Sequence, residues 1–419
     1  MTTETEETAA AQHSEPLATA LPVATFLSYF AIAAVEFSVP FVAVATLGAS
    51  SLVIAALGIC RFAPQVLLAR TAARTVERYD QRTVMLGSEL LRVVAFLLSA
   101  LALAFTRGAG LAIFALANVA LACASILTAV ATQVLVPAVF AEEELPRVYS
   151  RLGMAESTAD AVAPFLTGLS LAAIGVSRSF GAASVLALAA CALLLRIPRI
   201  RLPAAEPGSP GPATGASRST LRRGLRLNVR TPPLRIITLW AVSYNFGQCV
   251  IEALLLIALV DRTPVGAASY GVIRTGAVLF AAVGAYAAER LPAPLRSGLG
   301  TSLFGCGAVA SYAVLGTGVH IGGTAGLVVV LAGFALDEFC SGVVLVRIQA
   351  FRARAITDTD RPIATAAYRA VNLTAVPAGF AVGGVAGLLI SPASTIFVVG
   401  LLMILPGILI LSRSVRATA

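Results

Sequence analysis

A chain of 419 residues that is 58% hydrophobic and only 12% charged, with a mean hydropathy of +0.89, lacks the polar surface of an ordinary soluble domain. Its net charge of +9 comes from arginine alone, for the sequence has no lysine. That excludes a P-loop lysine for ATP hydrolysis and a Schiff-base lysine for pyridoxal chemistry, so a soluble enzyme is ruled out and no cofactor is expected.

In chain order, residues 1–16 (MTTETEETAAAQHSEP) are polar and acidic and read as a disordered cytoplasmic tail. The first twenty residues carry no basic n-region, so no cleavable signal peptide is expected. Apolar runs of roughly spanning length then fall at 20–46, 50–70, 84–106, 111–138, 152–175 and 179–196. Six more follow at 235–260, 265–288, 297–317, 321–349, 363–390 and 393–412. The turns at 317–321 and 390–393 are short and marked by Gly or Pro. Between the two sets, residues 201–218 include PAAEPGSPGPATGAS, a linker composition. The segment after it, SRSTLRRGLRLNVRTPPLR, spaces leucines among arginines. It is expected either to lie as an amphipathic helix on an anionic leaflet or simply to act as a topology signal. The expected organisation is a tail at 1–16, an N-terminal bundle at 17–200, a linker at 201–233, a C-terminal bundle at 234–412 and a tail at 413–419.

With the N-terminus inside, about twenty-two arginines fall in cytoplasmic segments, while Arg107, Arg178 and Arg262 fall outside. This bias places both termini in the cytoplasm and the chain in a bacterial inner membrane. The basic balance therefore reports topology, and no nucleic-acid partner is expected. The six cysteines lie in separate predicted helices without a C-x-x-C spacing. His13 falls in the tail and His320 at the outer surface, so no metal site is expected.

Five arginines fall within spans, namely Arg61, Arg92, Arg274, Arg347 and Arg369. A charge at mid-bilayer costs about 2.5–3.5 kcal/mol on insertion scales unless it is paired or hydrated. Glu36 on the first span and Arg61 on the second reach a similar depth, and Glu252 and Arg274 repeat that order on the seventh and eighth. The strings GICR at 58–61 and GVIR at 271–274 agree with the repeat. An offset of about 214 also relates Gln133 to Arg347 and Arg147 to Arg361. A shared offset argues for two homologous six-helix halves, the plan of an alternating-access carrier.

These features resemble the major facilitator superfamily, and most closely its enterobactin-exporter-like and macrolide-efflux-like branch. Its loop motif G-x-x-x-D-R-x-G/D-R-R is matched by Ala73, Glu77, Arg78, Asp80 and Arg82, with alanine and glutamate replacing the first glycine and aspartate. Of the fifth-span signature G-x-x-x-G-P-x-x-G-G, Pro164 and Gly168 are kept, beside Ala159, Ala163 and Thr167. GLRLNVRTPPLR and RPIATAAYRAVNLTAVPAGFAVGG resemble segments of the second half. The resemblance implies an all-α membrane protein of twelve transmembrane helices in two bundles. It implies a gating loop at 73–82, and a cavity lined by spans one, four, seven and ten.

On that cavity fall Phe37, Asn118, Gln133, Asn245, Gln248, Asp337, Glu338 and Arg347. Asn245, Gln248 and Glu252 form one polar stripe, each residue alternatively an interhelical hydrogen-bond partner. Phe41, Trp240, Tyr244 and Phe246 offer an aromatic wall or lipid-facing packing. Glu156 and Asp160 share a helix face one turn before Pro164 and are candidates for a proton site, or for pairing with Arg92 or Arg151. Glu89 and Arg92, three apart, read as a local structural pair. The pairs Glu36–Arg61 and Glu252–Arg274 serve either proton coupling or a static clamp. The expected function is secondary active transport, a proton-coupled efflux of small amphipathic molecules such as drugs, secondary metabolites or siderophores, by a monomer. The alternatives are a metabolite importer or uniporter on the same fold, a lipid translocator, or a non-transporting membrane scaffold or sensor.

Overall fold

A computed structural model describes residues 2–141, 143–195, 218–357 and 360–416. The chain is all-helical. α1 (Thr2–Ala45) is followed by α2 (Ser51–Leu67), α3 (Ala69–Arg78) and α4 (Gln81–Leu101). α5 (Arg107–Val139), α6 (Leu145–Ile174) and α7 (Val176–Leu194) complete the first set. α8 (Arg218–Asn228) precedes α9 (Pro232–Arg262), α10 (Ala267–Ala288), α11 (Gly298–Ile321) and α12 (Gly323–Ala355). α13 (Arg361–Leu389), α14 (Pro392–Leu402), α15 (Ile404–Ile410) and α16 (Arg413–Arg416) end the chain. Among the described residues eleven helices are long and apolar enough to cross a bilayer, α14 and α15 counting together. The bent pair α2–α3 makes a twelfth, as the sequence predicts.

The boundaries follow from local chemistry. Asp80 caps α4 by accepting from the Thr83 amide at 3.1 Å, and Ser391 caps α14 by accepting from Ser394 at 3.2 Å. Pro232 and Pro392 open their helices, where a missing N–H costs nothing. α11 and α12 turn through Gly322 and Gly323, at φ +70° and +59°, which a side chain would resist.

Two expectations change. Helical backbone begins at Thr2, covering most of the stretch read as a disordered tail; its Glu, Ala and Gln residues are good helix formers that extend α1. Residues 73–82 are not a loop throughout: α3 runs to Arg78, bent by 54° from α2 where Leu68 leaves helical geometry at φ −98° and ψ 4°. Only Tyr79 and Asp80 separate α3 from α4. The linker residues 201–217 and the end 417–419 lie outside the described residues.

The chain forms two compact units, Met1–Val42 with Ala63–Gly215, and Ala43–Phe62 with Ala216–Ala419. The first has a core of Leu21, Met85, Leu135, Val148, Leu152 and Leu194. The second is centred on Leu254, Leu259, Tyr312 and Leu315, and takes in Ala55 of α2. Ser51 of α2 donates to the Gly384 carbonyl of α13 at 2.9 Å, and a Cβ on Gly58 would stand 2.5 Å from the Phe380 ring. Within this unit helices approach through glycine: a Cβ on Gly284 would strike the Phe339 carbonyl, and one on Gly342 the Ala281 carbonyl. Bilayers favour such small-residue contacts because lipid tails are as apolar as leucine. Leu97, Leu116 and Leu389 are exposed, as lipid-facing residues are.

The basic segment resolves as α8, docked on the second unit. Asn228, fully buried, donates to the carbonyls of Gly224 and Ala364 at 2.8 and 2.7 Å, and Arg223 pairs with Asp360 at 2.8 Å.

Candidate substrate and proton sites

In the first unit, α1, α4, α5, α6 and α7 enclose a cavity of about 300 Å³. Its polar wall comprises Tyr29, Glu89, Gln133, Tyr149 and Glu156 with four hydroxyl residues, Thr25, Ser28, Thr128 and Thr132. Glu89 is 2% exposed and pairs with Arg92, 1% exposed, as the i, i+3 spacing predicts. Ser28 donates to Glu89 Oε1 at 2.7 Å, and Arg92 donates to Ser28 at 2.6 Å and Thr128 at 3.0 Å. Burying an ion pair repays its desolvation only when such extra hydrogen bonds complete it.

Glu156, half-buried on α6, lines the cavity beside Tyr29 of α1, close enough for its charge to act on the phenol. Asp160, one turn on and exposed, adds its charge to the field at Tyr29. Pro164 and Gly168 are buried within α6. Asn118 is buried with its amide turned back to the Phe114 carbonyl of its own helix at 2.9 Å. Phe37, buried, stacks on Phe41 at 6.3 Å. Neither Asn118 nor Phe37 lines this cavity, whereas Gln133 does.

In the region expected to gate, Ala73 is buried on α3 while Glu77 and Arg78 are exposed. Arg82 reaches the Leu195 carbonyl at the end of α7, at 2.6 Å. The motif thus caps helix ends within one unit.

The second unit has a cavity of about 280 Å³, lined by Trp240, Tyr244, Asn245, Gln248, Glu338 and Tyr368 among others. Trp240, Tyr244 and Tyr312 stack in series at centroid distances of 5.2 and 5.6 Å. The Tyr244 hydroxyl donates to Asp337, which is 4% exposed, at 2.9 Å. Asn245 donates to Asn372 of α13 at 3.0 Å, and Gln248 faces the cavity.

Glu36 belongs to the first unit, and Arg61, whose guanidinium sits 4.8 Å over the Phe62 ring, to the second. Glu252 and Arg61 both act on Cys249, and Glu252 and Arg274 both act on Glu338 and Tyr270. Glu338 of α12 thus lies within electrostatic reach of both Glu252 and Arg274, the two residues expected to pair. Arg347, expected in the cavity, instead donates to the Ala288 carbonyl at 2.5 Å and to that of Arg296, bracing the turn from α10 to α11. Its long side chain carries the guanidinium past the helix surface to the last carbonyl of α10 and to one in the turn before α11.

Sequence reasoning missed Tyr29. The signal was available, because Tyr29 precedes Tyr244 by about the same offset that relates Glu36 to Glu252.

A multi-pass helical fold with a polar cavity in each unit defines a class, the membrane transporters of small molecules. Residues 23–336 match the Major Facilitator Superfamily, and the chain belongs to that family. No curated protein sequence matches it. Among solved structures, it is similar to a bacterial homologue of the iron transporter ferroportin in an inward-facing state. That match has a TM-score of 0.69 and 18% identity, covering 95% of this chain and 99% of that one. The nucleoside transporter NupG matches with a TM-score of 0.69 and 11% identity, over 94% of this chain and 98% of that one. A POT family transporter in complex with a thioalcohol-conjugated peptide matches with a TM-score of 0.66 and 12% identity, over 94% and 95%. At these identities the likeness establishes the fold. Among the described residues no group of three or more His, Cys, Asp or Glu is placed to hold a metal ion.

Proposed function

We propose that the protein is a secondary active transporter, working by alternating access, that exports small amphipathic molecules in exchange for protons. The observation that carries the coupling is that each unit sets one acid against a cavity-lining tyrosine. Glu156 lies beside Tyr29 in one unit, and Tyr244 donates to Asp337 in the other. A carboxylate bonded to an arginine leaves a buried cation behind when it takes a proton. A carboxyl group beside a phenol does not, so these acids can gain and lose a proton without stranding a charge.

The cavity walls support amphipathic cargo, with aromatic and aliphatic faces beside a few polar groups. Support for export comes from the likeness of residues 73–82 and of Pro164 and Gly168 to the exporter branch. Transport runs across a bacterial inner membrane, by a monomer. The test is a pH-gradient reporter in energised inverted vesicles, offered a panel of amphipathic compounds. Substrate-dependent collapse of the gradient, absent in Glu156→Gln, is the expected result. Uptake of a labelled metabolite, with no gradient response to any compound of the panel, would replace this reading with an importer or uniporter.

A further inference from the structure

The cavity of the first unit has a chemical asymmetry. Two carboxyl groups, Glu89 and Glu156, line it, and none of the described residues lining it is basic. Arg92 stands behind the wall, its terminal nitrogens bonded to Glu89 Oε1, Ser28 and Thr128 while its Nε, also buried, makes no hydrogen bond among the described residues. One carboxylate therefore cancels one arginine, and the second leaves the site with an acidic excess. Furthermore, Glu89 Oε2 is buried and has no hydrogen-bond partner among the described residues, although the residue is 2% exposed. A buried carboxylate oxygen left without a donor costs the desolvation of a charged group, and such an oxygen on a cavity wall is a standing acceptor.

The remaining wall fits one kind of occupant. Gln133, Thr132 and Tyr149 supply further polar contacts, while Leu21, Ala24, Met85 and Leu152 form an apolar floor. A volume of about 300 Å³ matches a molecule of one ring and a short chain.

We propose that this cavity is a binding site for a small organic amine in its ammonium form, which donates N–H bonds to Glu89 Oε2 and Glu156 and lays its apolar body on Leu21, Ala24, Met85 and Leu152. The proposal rests on the transport reading only in treating this amine as cargo; binding itself does not require it. The site uses α1, α4, α5, α6 and α7 alone, so it is complete within one unit. An ammonium group satisfies the orphaned oxygen with a charge-assisted bond, which an alcohol of the same shape makes only weakly.

The experiment is calorimetric titration of the purified full-length protein in nanodiscs with phenethylamine and with phenethyl alcohol, at neutral pH. The amine is expected to bind, with the alcohol weaker by roughly tenfold or more, the worth of a charged hydrogen bond. Glu89→Gln is expected to weaken the amine by a similar factor. The double variant Glu89→Gln with Arg92→Met, which leaves no unpaired charge, keeps the test open if the single variant does not fold, and the same loss is expected of it. Arg223→Ala, on α8, is expected to bind as wild type. Equal binding of amine and alcohol, no binding of the amine, or wild-type affinity in the double variant would overturn the site. Amine binding without any gradient response in vesicles would keep the site and remove the transport reading. Gradient collapse by other compounds without amine binding would do the reverse.

Discussion

The Tyr244 hydroxyl donates to the Asp337 carboxylate at 2.9 Å, joining α9 to α12 inside the second unit. Its counterpart by the internal repeat, Tyr29, lies beside Glu156 of α6 on the cavity wall of the first unit. The tyrosine is repeated but its acid is not: one acid lies on the fifth span and the other on the tenth. Asp337→Asn keeps an acceptor for the tyrosine and removes the proton exchange. It is expected to retain substrate exchange between equal pools in proteoliposomes while losing transport driven by a pH gradient. Equal loss of both activities would assign Asp337 to substrate binding instead.

Tyr244→Phe removes the hydrogen bond to the Asp337 carboxylate from a residue that keeps its ring in the Trp240–Tyr244–Tyr312 stack. A bond to a charged group is worth about 1.5–3 kcal/mol, so driven transport is expected to fall by roughly tenfold to a hundredfold without loss of fold. The rate in proteoliposomes, beside the melting temperature, checks this.

Glu89→Gln strands the Arg92 guanidinium, which is 1% exposed. Removing one member of a buried pair costs about 3–5 kcal/mol, whereas replacing both with neutral groups is often nearly neutral. Thermal unfolding of the detergent-solubilised protein is expected to drop markedly for Glu89→Gln and to recover in the double variant with Arg92→Met. No recovery would mean that packing, not the uncompensated charge, sets the cost.

Arg347 separates bracing from binding. Its bonds to the Ala288 and Arg296 carbonyls predict that Arg347→Ala loses about 1.5–3 kcal/mol of stability, the range for charged hydrogen bonds. Substrate affinity is expected to stay at the wild-type value. A selective loss of affinity would return Arg347 to the cavity, where its position on the tenth span had suggested it.

The docking of α8 predicts a contrast between two neighbours. Arg223 is 64% exposed, and a pair of that kind contributes about 0–1 kcal/mol. Asn228 is fully buried and donates to two carbonyls, so Asn228→Leu removes the bond that ties α8 to the Ala364 carbonyl of α13 and is expected to release α8. Limited proteolysis after Asn228 should be fast in Asn228→Leu and unchanged in Arg223→Ala.

Much of this was legible in the sequence, and the limits have physical causes. Twelve spans follow from apolar length alone, because a bilayer forces the backbone to satisfy itself within each helix. Glu89–Arg92 followed from helical spacing. The helical bend at Leu68 was not visible, since the second span read as continuous to residue 70 and residues 73–82 as loop, although α3 continues as helix to Arg78. Glu338 joined Glu252 and Arg274 only through the packing of α9, α10 and α12, which spacing within one helix cannot report. Arg347 was misplaced because position on a span fixes where a side chain starts, while a long arginine decides by its own reach where it ends. Tyr29 escaped notice because a lone tyrosine in an apolar run looks like core until its acid is brought beside it.

The central claim is that an acid beside a phenol carries the proton, and Glu156 tests it most directly. Inverted vesicles energised by respiration, containing the wild-type or Glu156→Gln protein in equal amount, would be offered amphipathic compounds while a fluorescent dye reports the pH gradient. The account predicts a substrate-dependent collapse with wild type and none with Glu156→Gln. An equal collapse in both would contradict it.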